Sequence, residues 1–563
     1  MTTPIARRTF LKGMGGAAGA VLLSSCAGDT GGDSDRTPPG ERPTVRVVSW
    51  TLLGFPSPFT YTAAPGYWRM SLLFDTLLWP DSTGKQLPWL ASSYTASDDG
   101  LVHTLDLRDV TWDDGRTVTA RDVAFTYEYY TSKTFTPLLI GVPPKVASLR
   151  TTGEKTVEFR LERPDTTFVS KVLGTMPIVP EHVWSTINDP MSAASDPGAL
   201  IGTGPYKLAS RDEAQDNEAY EAKDGYFLGT PYVKRIEMRP PANDDPLATL
   251  AAGGLDAAAG PPSGARNEIL APFRDDPKYG TITADGAFSF PMYFNLKRGG
   301  ALADLRFRRA CLHAIDREDI LRRLLTGNGQ VGSAGWLAPA NPFYEPKVRE
   351  YPFDRTEAER LLDEGGYRRP SPGGSRTNSD GSPLRYVLFI SDSIPIALAE
   401  ILNASLKAVG VDVDLQRIDL PRLFGVKLSA NYDMLVTLYP GPAGGGPTGD
   451  PELLRSVFHS KPPTPLSSAT GYSNPEVDRL IDAQVATLDL EERKRQVSQI
   501  QKLVAEDLPV ATLYYTNAFY AFRKKVFDAW YFTPGGFGPG IVEPYNKQVY
   551  VTGQKTGTQI RQP

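Results

Sequence analysis

The residues whose chemistry is easiest to interpret lie near the N-terminus. Arg7 and Arg8 stand just ahead of a short apolar run at 13–23, as in a twin-arginine export signal. That run is shorter than the about 20 apolar residues needed to cross a bilayer. Residues 23–26, Leu-Ser-Ser-Cys, have the form of a bacterial lipobox. We therefore expect cleavage before Cys26 and lipidation of its thiol as a membrane anchor, the alternative being a chance cysteine beside an ordinary cleavage site.

Side chains that often catalyse reactions or hold metals are scattered along the rest of the chain. The four histidines are far apart in sequence, at His103, His182, His313 and His459. Metal sites need several His, Cys or carboxylate ligands that converge, so no metal site is expected. Carboxylate pairs such as Asp113-Asp114 lie in turn contexts. The pattern Gly-x-Gly-x-x-Gly at 327–332 lacks the strand before it and the helix after it that a nucleotide site requires, and is interpreted as a loop. We expect no enzyme and no cofactor.

The amino-acid composition limits the classes of protein to which this chain can belong. The chain has 563 residues, of which 40% are hydrophobic and 22% charged, so a globular protein with more than one domain is expected. The formal net charge of -5 predicts no cationic surface for nucleic acid. Residues 26–43 are rich in Gly, Asp, Ser, Thr and Pro and predict a flexible tether. Cys311 has no cysteine in the mature domain to pair with, so the fold must be held by packing.

Local patterns predict alternating strands and helices. Residues 44–50 and 156–161 alternate apolar and polar side chains, as half-buried strands do. Residues 386–390, 396–409 and 411–415 predict a strand, a helix and a second strand, an order that suits a parallel sheet. Helix starts are predicted at three capping residues, Asp354, Asn474 and Asp489. The chain is therefore expected to have an α/β fold.

Six motifs occur in order along nearly the whole mature chain. They are 107–115 with 119–123 (Leu-Arg-Asp-Val-Thr-Trp-Asp-Asp-Gly and Thr-Ala-Arg-Asp-Val), 202–206 (Gly-Thr-Gly-Pro-Tyr), 254–257 (Gly-Leu-Asp-Ala), 293–296 (Tyr-Phe-Asn-Leu), 308–310 with 314–317 (Arg-Arg-Ala and Ala-Ile-Asp-Arg), and 474–478 (Asn-Pro-Glu-Val-Asp). In this order they resemble the extracellular solute-binding proteins of the oligopeptide and dipeptide family, also called family 5, which are lipoproteins of ABC importers.

The resemblance implies a type II periplasmic-binding-protein-like fold, in which two hinged α/β lobes enclose a cleft and an extra domain is inserted. The implied boundaries are 1–25 for the export signal, 26–43 for the tether, 44–84 with 201–290 and 520–563 for the first lobe, 85–200 for the inserted domain, and 291–519 for the second lobe. The chain is expected to cross between the lobes at 293–296 and near Tyr520.

The resemblance also implies a function. The protein would be exported, held by lipid on the outer face of the cell membrane in the periplasmic space or cell envelope, and monomeric. There it would capture a small-molecule ligand, most simply a peptide, and deliver it to the subunits of an ABC permease.

Peptide-binding members of that family hold the ligand's α-amino group with an aspartate in a Trp-x-x-Asp-x-x-Asp-Pro pattern. Here Asp450-Pro451 supplies the end of the pattern, but the amine-binding position falls on Pro447. A Gly-rich stretch at 440–446 follows Tyr439, the nearest aromatic residue. The sequence therefore does not decide whether the ligand is a peptide, a blocked peptide, an oligosaccharide or a metal chelate.

Six residues are the candidate ligand contacts. They are Trp50, Phe55, Tyr61, Trp336, Tyr439 and Asp450. The first three lie at the end of the first strand or in the loop after it, whose Gly, Pro and aromatic content is typical of segments that line clefts. The alternative is that the aromatic rings pack in the core and that Asp450 caps the helix starting near Glu452.

Two other classes of function stay open. An exported hydrolase acting on peptides or glycans is one, suggested by location and by the carboxylates. A binding module that reports to a membrane sensor or acts as an envelope chaperone is the other. Turnover of a ligand would favour the first, and neighbouring permease and ATPase genes would favour transport.

Overall fold

The computed structural model describes residues 41–49, 54–61, 64–132, 143–193, 196–440, 450–461, 470–537 and 544–562. The described residues belong to one compact unit. Arg7, Arg8, Cys26, Trp50 and Pro447 lie outside them, as does most of the expected tether.

Strands occur along the whole described chain. In order they are β1 (Thr44–Val48), β2 (Leu78–Pro80), β3 (Gln86–Pro88), β4 (Ala91–Ala96), β5 (Val102–Leu107), β6 (Val146–Thr152), β7 (Thr156–Leu161), β8 (Tyr206–Asp212), β9 (Asn217–Ala222), β10 (Arg235–Arg239), β11 (Ala257–Ala259), β12 (Tyr279–Phe294), β13 (Gly329–Val331), β14 (Arg385–Ser391), β15 (Asp412–Ile418), β16 (Met434–Val436), β17 (Tyr439–Pro440) and β18 (Val510–Arg523).

Helices alternate with these strands, which confirms the predicted α/β class. They are α1 (Ala64–Leu73), α2 (Ala120–Ser132), α3 (Glu181–Trp184), α4 (Pro246–Ala251), α5 (Asn267–Asp275), α6 (Gly300–Ala303), α7 (Leu305–Ala314), α8 (Arg317–Leu325), α9 (Arg355–Glu364), α10 (Ile396–Ala408), α11 (Leu420–Ser429), α12 (Leu453–Phe458), α13 (Pro475–Ala486), α14 (Leu490–Asp507) and α15 (Lys547–Thr552).

Among the described residues, a 12-stranded sheet organises the fold, with the main strand order β15-β14-β16-β12-β18-β11-β1-β10-β9-β8. We call the part around β14, β15 and β16 the second half, and the part from β11 to β8 the first half. The long strands β12 and β18 lie antiparallel between them, Tyr279 opposite Arg523 and Tyr293 opposite Val510. These two strands therefore belong to both halves and join them.

Four clusters of buried apolar side chains fill the described part of the molecule. One combines β1, β10 and β11 with α1 and residues from 519 to 551. Another combines Phe59 with residues from 77 to 199, around a separate four-stranded sheet, and we call the segment 77–199 the 77–199 region. The other two lie on opposite faces of the second half, because neighbouring residues of β12, β14 and β16 point to opposite sides of the sheet.

Two segments that sequence analysis singled out have defined strand pairings. Tyr293, at the expected crossing between lobes, pairs with Leu435 of β16, and the register of β12 with β18 shifts between Ala284 and Phe288. The Gly-rich stretch at 327–332, expected to be a loop, includes the short strand β13, because its backbone pairs with β18.

The motif 202–206 has a steric explanation. A Cβ atom on Gly204 would lie 2.3 Å from the carbonyl carbon of Leu73 and 2.5 Å from the oxygen of Leu72. The Gly204 N–H also donates to the Leu73 carbonyl, at 2.8 Å. This glycine therefore lets the backbone approach the end of α1, where any side chain would collide with main-chain atoms.

Gly204→Ala is expected to lower the free energy of unfolding by about 1–3 kcal/mol, because backbone atoms cannot rotate away from the new methyl group. Urea denaturation of the variant measures the effect. The matched control is Gly225→Ala, where the new Cβ meets no atom within 4 Å and the change should stay within about 1 kcal/mol. Equal stability of the two variants would contradict the steric explanation.

Candidate ligand cleft

The loop at 54–61 carries two of the predicted contacts in the first half. Gly54 has φ 80°, and a Cβ atom there would lie 2.1 Å from the Thr60 carbonyl oxygen, so the loop closes tightly on itself. Phe55 is half-buried. Tyr61 is buried among apolar residues, its ring edge-on to Tyr67 with centroids 5.6 Å apart. Burial raises the pKa of Tyr61, so its hydroxyl stays protonated and the ring acts mainly as packing.

A buried cluster of charged side chains holds this loop in place. The guanidinium groups of Arg69 and Arg211 each donate to Glu218 Oε1 at 2.8 Å. Both also donate to the Gly54 carbonyl at 3.2 Å, and the guanidinium of Arg211 lies 5.5 Å from the Phe55 ring centre. The charge group therefore fixes the position of the loop that presents Phe55.

Two predicted contacts that are far apart in sequence meet in the second half. The rings of Trp336 and Tyr439 are edge-on, with centroids 5.2 Å apart. Tyr439 lies in β17, opposite Ser289 of β12. Trp336 has φ 80°, unusual for a bulky residue, and Tyr515 Oη donates to its carbonyl at 2.8 Å. The fold thus brings Trp336 to Tyr439, close to the register shift in β12.

Asp450 is already engaged by other groups. Its Oδ1 accepts from Arg493 Nη2 at 2.7 Å and from the Glu452 backbone N–H at 2.8 Å. The second contact is a turn bond just ahead of α12, whose N-cap is Glu452, so Asp450 is not the residue that caps this helix as the alternative interpretation expected. Its carboxylate is therefore satisfied without a ligand.

Lys427 is a residue of this area that sequence analysis missed. It is half-buried near the end of α11, and its Nζ lies 5.4 Å from the centre of the Tyr293 ring. The ring of Tyr293 in turn lies 6.4 Å from that of Trp336. Burial lowers the pKa of Lys427 to about 8. A lysine in the last turn of a helix is so common that its sequence position gave no signal.

The second half also touches the 77–199 region. The Thr166 N–H donates to the Val485 carbonyl at 2.8 Å, and Lys171 Nζ lies 3.9 Å from Glu452 Oε1. Burial raises the pKa of Glu452. These contacts lie beside the segment that begins at Asp450.

The remaining side chains that could do chemistry in the described part of the chain are metal-ligating groups and one thiol. No group of three or more His, Cys, Asp or Glu side chains there is placed to hold a metal ion. Cys311 is buried, and burial raises the pKa of its thiol, which makes it a poor nucleophile. None of the helices in that part of the chain is long and apolar enough to cross a membrane.

Comparison with known proteins gives relatives over most of the chain. Residues 85–462 match the family model "Bacterial extracellular solute-binding proteins, family 5 Middle". The oligopeptide-binding protein AppA of Bacillus subtilis is 26% identical over 442 residues, 76% of this chain and 78% of the relative. Protein XP55 of Streptomyces lividans is 30% identical over 511 residues, 87% of this chain and 86% of the relative.

Solved structures share the fold. AppA of Bacillus subtilis, in complex with a nonapeptide, superposes with a TM-score of 0.70 at 22% identity and covers 85% of this chain and 94% of its own. NikZ of Campylobacter jejuni, in complex with Ni(L-His), gives 0.73 at 22% identity and covers 91% and 99%. The fold is thus that of the type II periplasmic binding proteins, as the motifs implied. The chain belongs to family 5 of the bacterial extracellular solute-binding proteins.

Proposed function

We propose that this protein is the extracytoplasmic solute-binding component of an ABC importer, which captures a peptide or peptide-like solute and delivers it to the permease. One observation carries the proposal. Two halves with separate cores are joined by the long strands β12 and β18. The predicted aromatic contacts are divided between the halves, with Phe55 in the first and Trp336 with Tyr439 in the second. Relatives support the solute class, since AppA is named an oligopeptide-binding protein.

Binding would need no bond chemistry. A solute between the halves would stabilise the closed arrangement by the contacts it makes with both, and opening would release it to the permease. In this proposal the first half is the first lobe (44–84, 201–290 and 520–563), the second half is the second lobe (291–519), and the insert is 85–200. The protein would act as a monomer without a cofactor.

The proposal includes export and anchoring. Arg7 and Arg8 would direct twin-arginine export, Cys26 would carry the lipid, and residues 26–43 would tether the binding domain to the outer face of the membrane. Mass spectrometry of the protein from membranes should find a lipid-modified N-terminal Cys26. An unmodified mature chain recovered free of membranes would contradict the anchor.

A second ligand class has specific support. Pro447 replaces the residue that would hold a free amine, and the structurally similar NikZ was solved with Ni(L-His). The alternative within the same transport role is therefore an oligosaccharide or a metal chelate.

The test uses residues 41–563 in native mass spectrometry and in thermal shift against peptides, oligosaccharides and metal–histidine chelates. A bound peptide at a hundredfold excess over Kd should stabilise the protein by about 2.7 kcal/mol. Tyr439→Ala should weaken that binding about 5–30-fold, corresponding to 1–2 kcal/mol of contact energy. The control is Phe353→Ala, an exposed aromatic residue, which should leave Kd unchanged.

Two outcomes would overturn this assignment. Stabilisation by sugars or chelates alone would replace the peptide but keep the transport role. Chemical turnover of any bound solute would replace binding by catalysis.

A further inference from the structure

The 77–199 region is attached to the first half of the sheet by buried contacts. Trp79 and Trp89 of this region belong to the apolar cluster that contains residues of β1, β10 and β11. Trp89 Nε1–H also donates to Tyr226 Oη at 2.8 Å, a bond between two buried side chains. Because closely packed cores resist deformation, the 77–199 region should move together with the first half.

The same region meets the second half through a different kind of contact. The Thr166 N–H donates to the Val485 carbonyl at 2.8 Å, and Lys171 Nζ lies 3.9 Å from Glu452 Oε1. The Lys171 and Glu452 side chains are 21% and 12% exposed, so water reaches the pair. A single backbone hydrogen bond and a partly hydrated ion pair each contribute little free energy, so this contact can form and break readily.

An apolar side chain lies at the same boundary. Leu488, between α13 and α14, is 49% exposed. A Cβ atom on Gly100 of the 77–199 region would lie 3.0 Å from Leu488 Cδ1, so the leucine reaches close to the Gly100 backbone. Because Leu488 is already half in water, breaking this contact would expose little additional apolar surface.

The second half holds Glu452 in place for this contact. Arg455 Nε and Gln484 Nε2 both donate to its carboxylate, the second at 3.0 Å. Arg455 in turn donates to Asp482 at 2.7 Å. These bonds fix the carboxylate on the second half, so Lys171 meets a partner that is already positioned.

The contact also lies beside the candidate ligand contacts of the second half. Leu453, directly after Glu452, packs in the same apolar cluster as Trp336 and Tyr439. Ile481, one helical turn before Val485, belongs to that cluster as well. The 77–199 region therefore reaches the second half next to the proposed cleft.

We propose that Thr166, Lys171 and Glu452 form a latch, which holds the 77–199 region against the second half in the solute-free protein and must break before the halves separate. Lys171 and Glu452 are positioning residues, because they hold the halves together without touching solute. In the proposed function, breaking the latch would precede release of solute to the permease. Only that consequence rests on the proposed function.

Hydrogen exchange, resolved to single residues by mass spectrometry, tests the latch on residues 41–563 without any solute. The acceptor of the Thr166 N–H lies in the second half, so the exchange rate of this amide reports how often the contact breaks. Lys171→Met should raise that rate about 2–5-fold, the effect of losing one partly exposed ion pair. Lys171→Arg should restore most of the protection. Amides of β7, in the same region, should exchange as in the wild type.

Two controls separate the latch from a loss of fold. Lys145→Met changes an exposed lysine of the same region and should leave the Thr166 exchange rate unchanged. Glu452→Gln alone should raise that rate as Lys171→Met does, but should add little in a Lys171→Met background, because the two residues act through one contact.

Small-angle X-ray scattering measures the separation of the halves directly. Lys171→Glu places two carboxylates opposite each other, and their repulsion should break the latch. The radius of gyration of the solute-free protein should therefore increase in Lys171→Glu and stay at the wild-type value in Lys171→Arg.

Four results would overturn the latch. They are an unprotected Thr166 amide in the wild type, an unchanged Thr166 exchange rate in Lys171→Met, faster exchange of β7 together with Thr166 in that variant, and an unchanged radius of gyration in Lys171→Glu. The third result would mean that Lys171 stabilises the 77–199 region itself. None of these measurements uses a solute, so the latch and the proposed function can fail separately.

Discussion

Lys547→Met is expected to lower the free energy of unfolding by about 3–5 kcal/mol, the usual cost of leaving one charge of a buried pair uncompensated. Lys547 Nζ lies 2.7 Å from Asp75 Oδ1, and both side chains are 0% exposed. The ammonium also lies 4.2 Å from the centre of the Trp79 ring. In the variant, the Asp75 carboxylate would keep its hydrogen bonds from Trp89 and Tyr226, at 2.9 and 3.0 Å, but would lose its counter-charge.

Urea denaturation measures the effect, and a double-mutant cycle identifies its cause. Asp75→Asn keeps an acceptor for the surrounding donors and removes the negative charge. The double variant Asp75→Asn with Lys547→Met should therefore lose less stability than the two single variants added together. The control is Lys407→Met, which changes an exposed lysine in the last turn of α10. A loss below 1 kcal/mol for Lys547→Met would show that the ion pair contributes little.

The ion pair between Asp75 and Lys547 also concerns the division of the chain into lobes. Asp75 follows α1, and Lys547 begins α15 near the C-terminus. Their contact attaches the end of the chain to the first half of the sheet. If residues 520–563 belong to the first lobe, as proposed, Lys547→Met should weaken that lobe first. Hydrogen exchange should then increase in β1 and β10 before it increases in β14 and β15.

Glu218→Gln is expected to reduce both stability and ligand affinity. The variant leaves the buried Arg69 and the nearly buried Arg211 without the carboxylate that they share, which should cost about 3 kcal/mol of unfolding free energy. Both guanidiniums also hold the Gly54 carbonyl at 3.2 Å, so the loop that presents Phe55 should become less ordered. Binding would then have to order that loop, which costs free energy. Kd should therefore rise about tenfold.

Chemical denaturation and calorimetric titration on the same preparation test both parts of this prediction. Glu213→Gln is the matched control, since Glu213 pairs with Arg211 at 2.7 Å but its side chain is 73% exposed. Its effect on stability should be at most about 1 kcal/mol. A destabilised Glu218→Gln variant that binds ligand as tightly as the wild type would place the 54–61 loop outside the binding site.

Much of the secondary structure was predictable because its causes are local. Residues 156–161 form β7 over the predicted range, and 385–418 form β14, α10 and β15, with β14 parallel to β15. The predicted caps are confirmed as well. Asp354 and Asp489 accept from backbone N–H groups three residues ahead, at 3.0 and 2.7 Å. Alternation and capping depend on neighbours within a few residues, so the chain displays them directly.

The candidate site could be predicted only in part. Sequence analysis selected Phe55, Tyr61, Trp336, Tyr439 and Asp450, and the structure brings together only Trp336 and Tyr439. Tyr61 is mainly packing, and Asp450 is held by Arg493, 43 positions along the chain. Aromatic and acidic residues suit both a core and a binding site, and which role each takes depends on partners that sequence spacing does not reveal.

The sequence by itself determined the α/β class and the family, because strand alternation, helix capping and ordered motifs are properties of short segments. Only the tertiary structure decided that β12 and β18 lie side by side between the halves, and that the Lys427 ammonium lies over the ring of Tyr293. Those arrangements join residues separated by more than a hundred positions. Their free energy comes from burial and from the distances between charges, which exist only once the chain has folded.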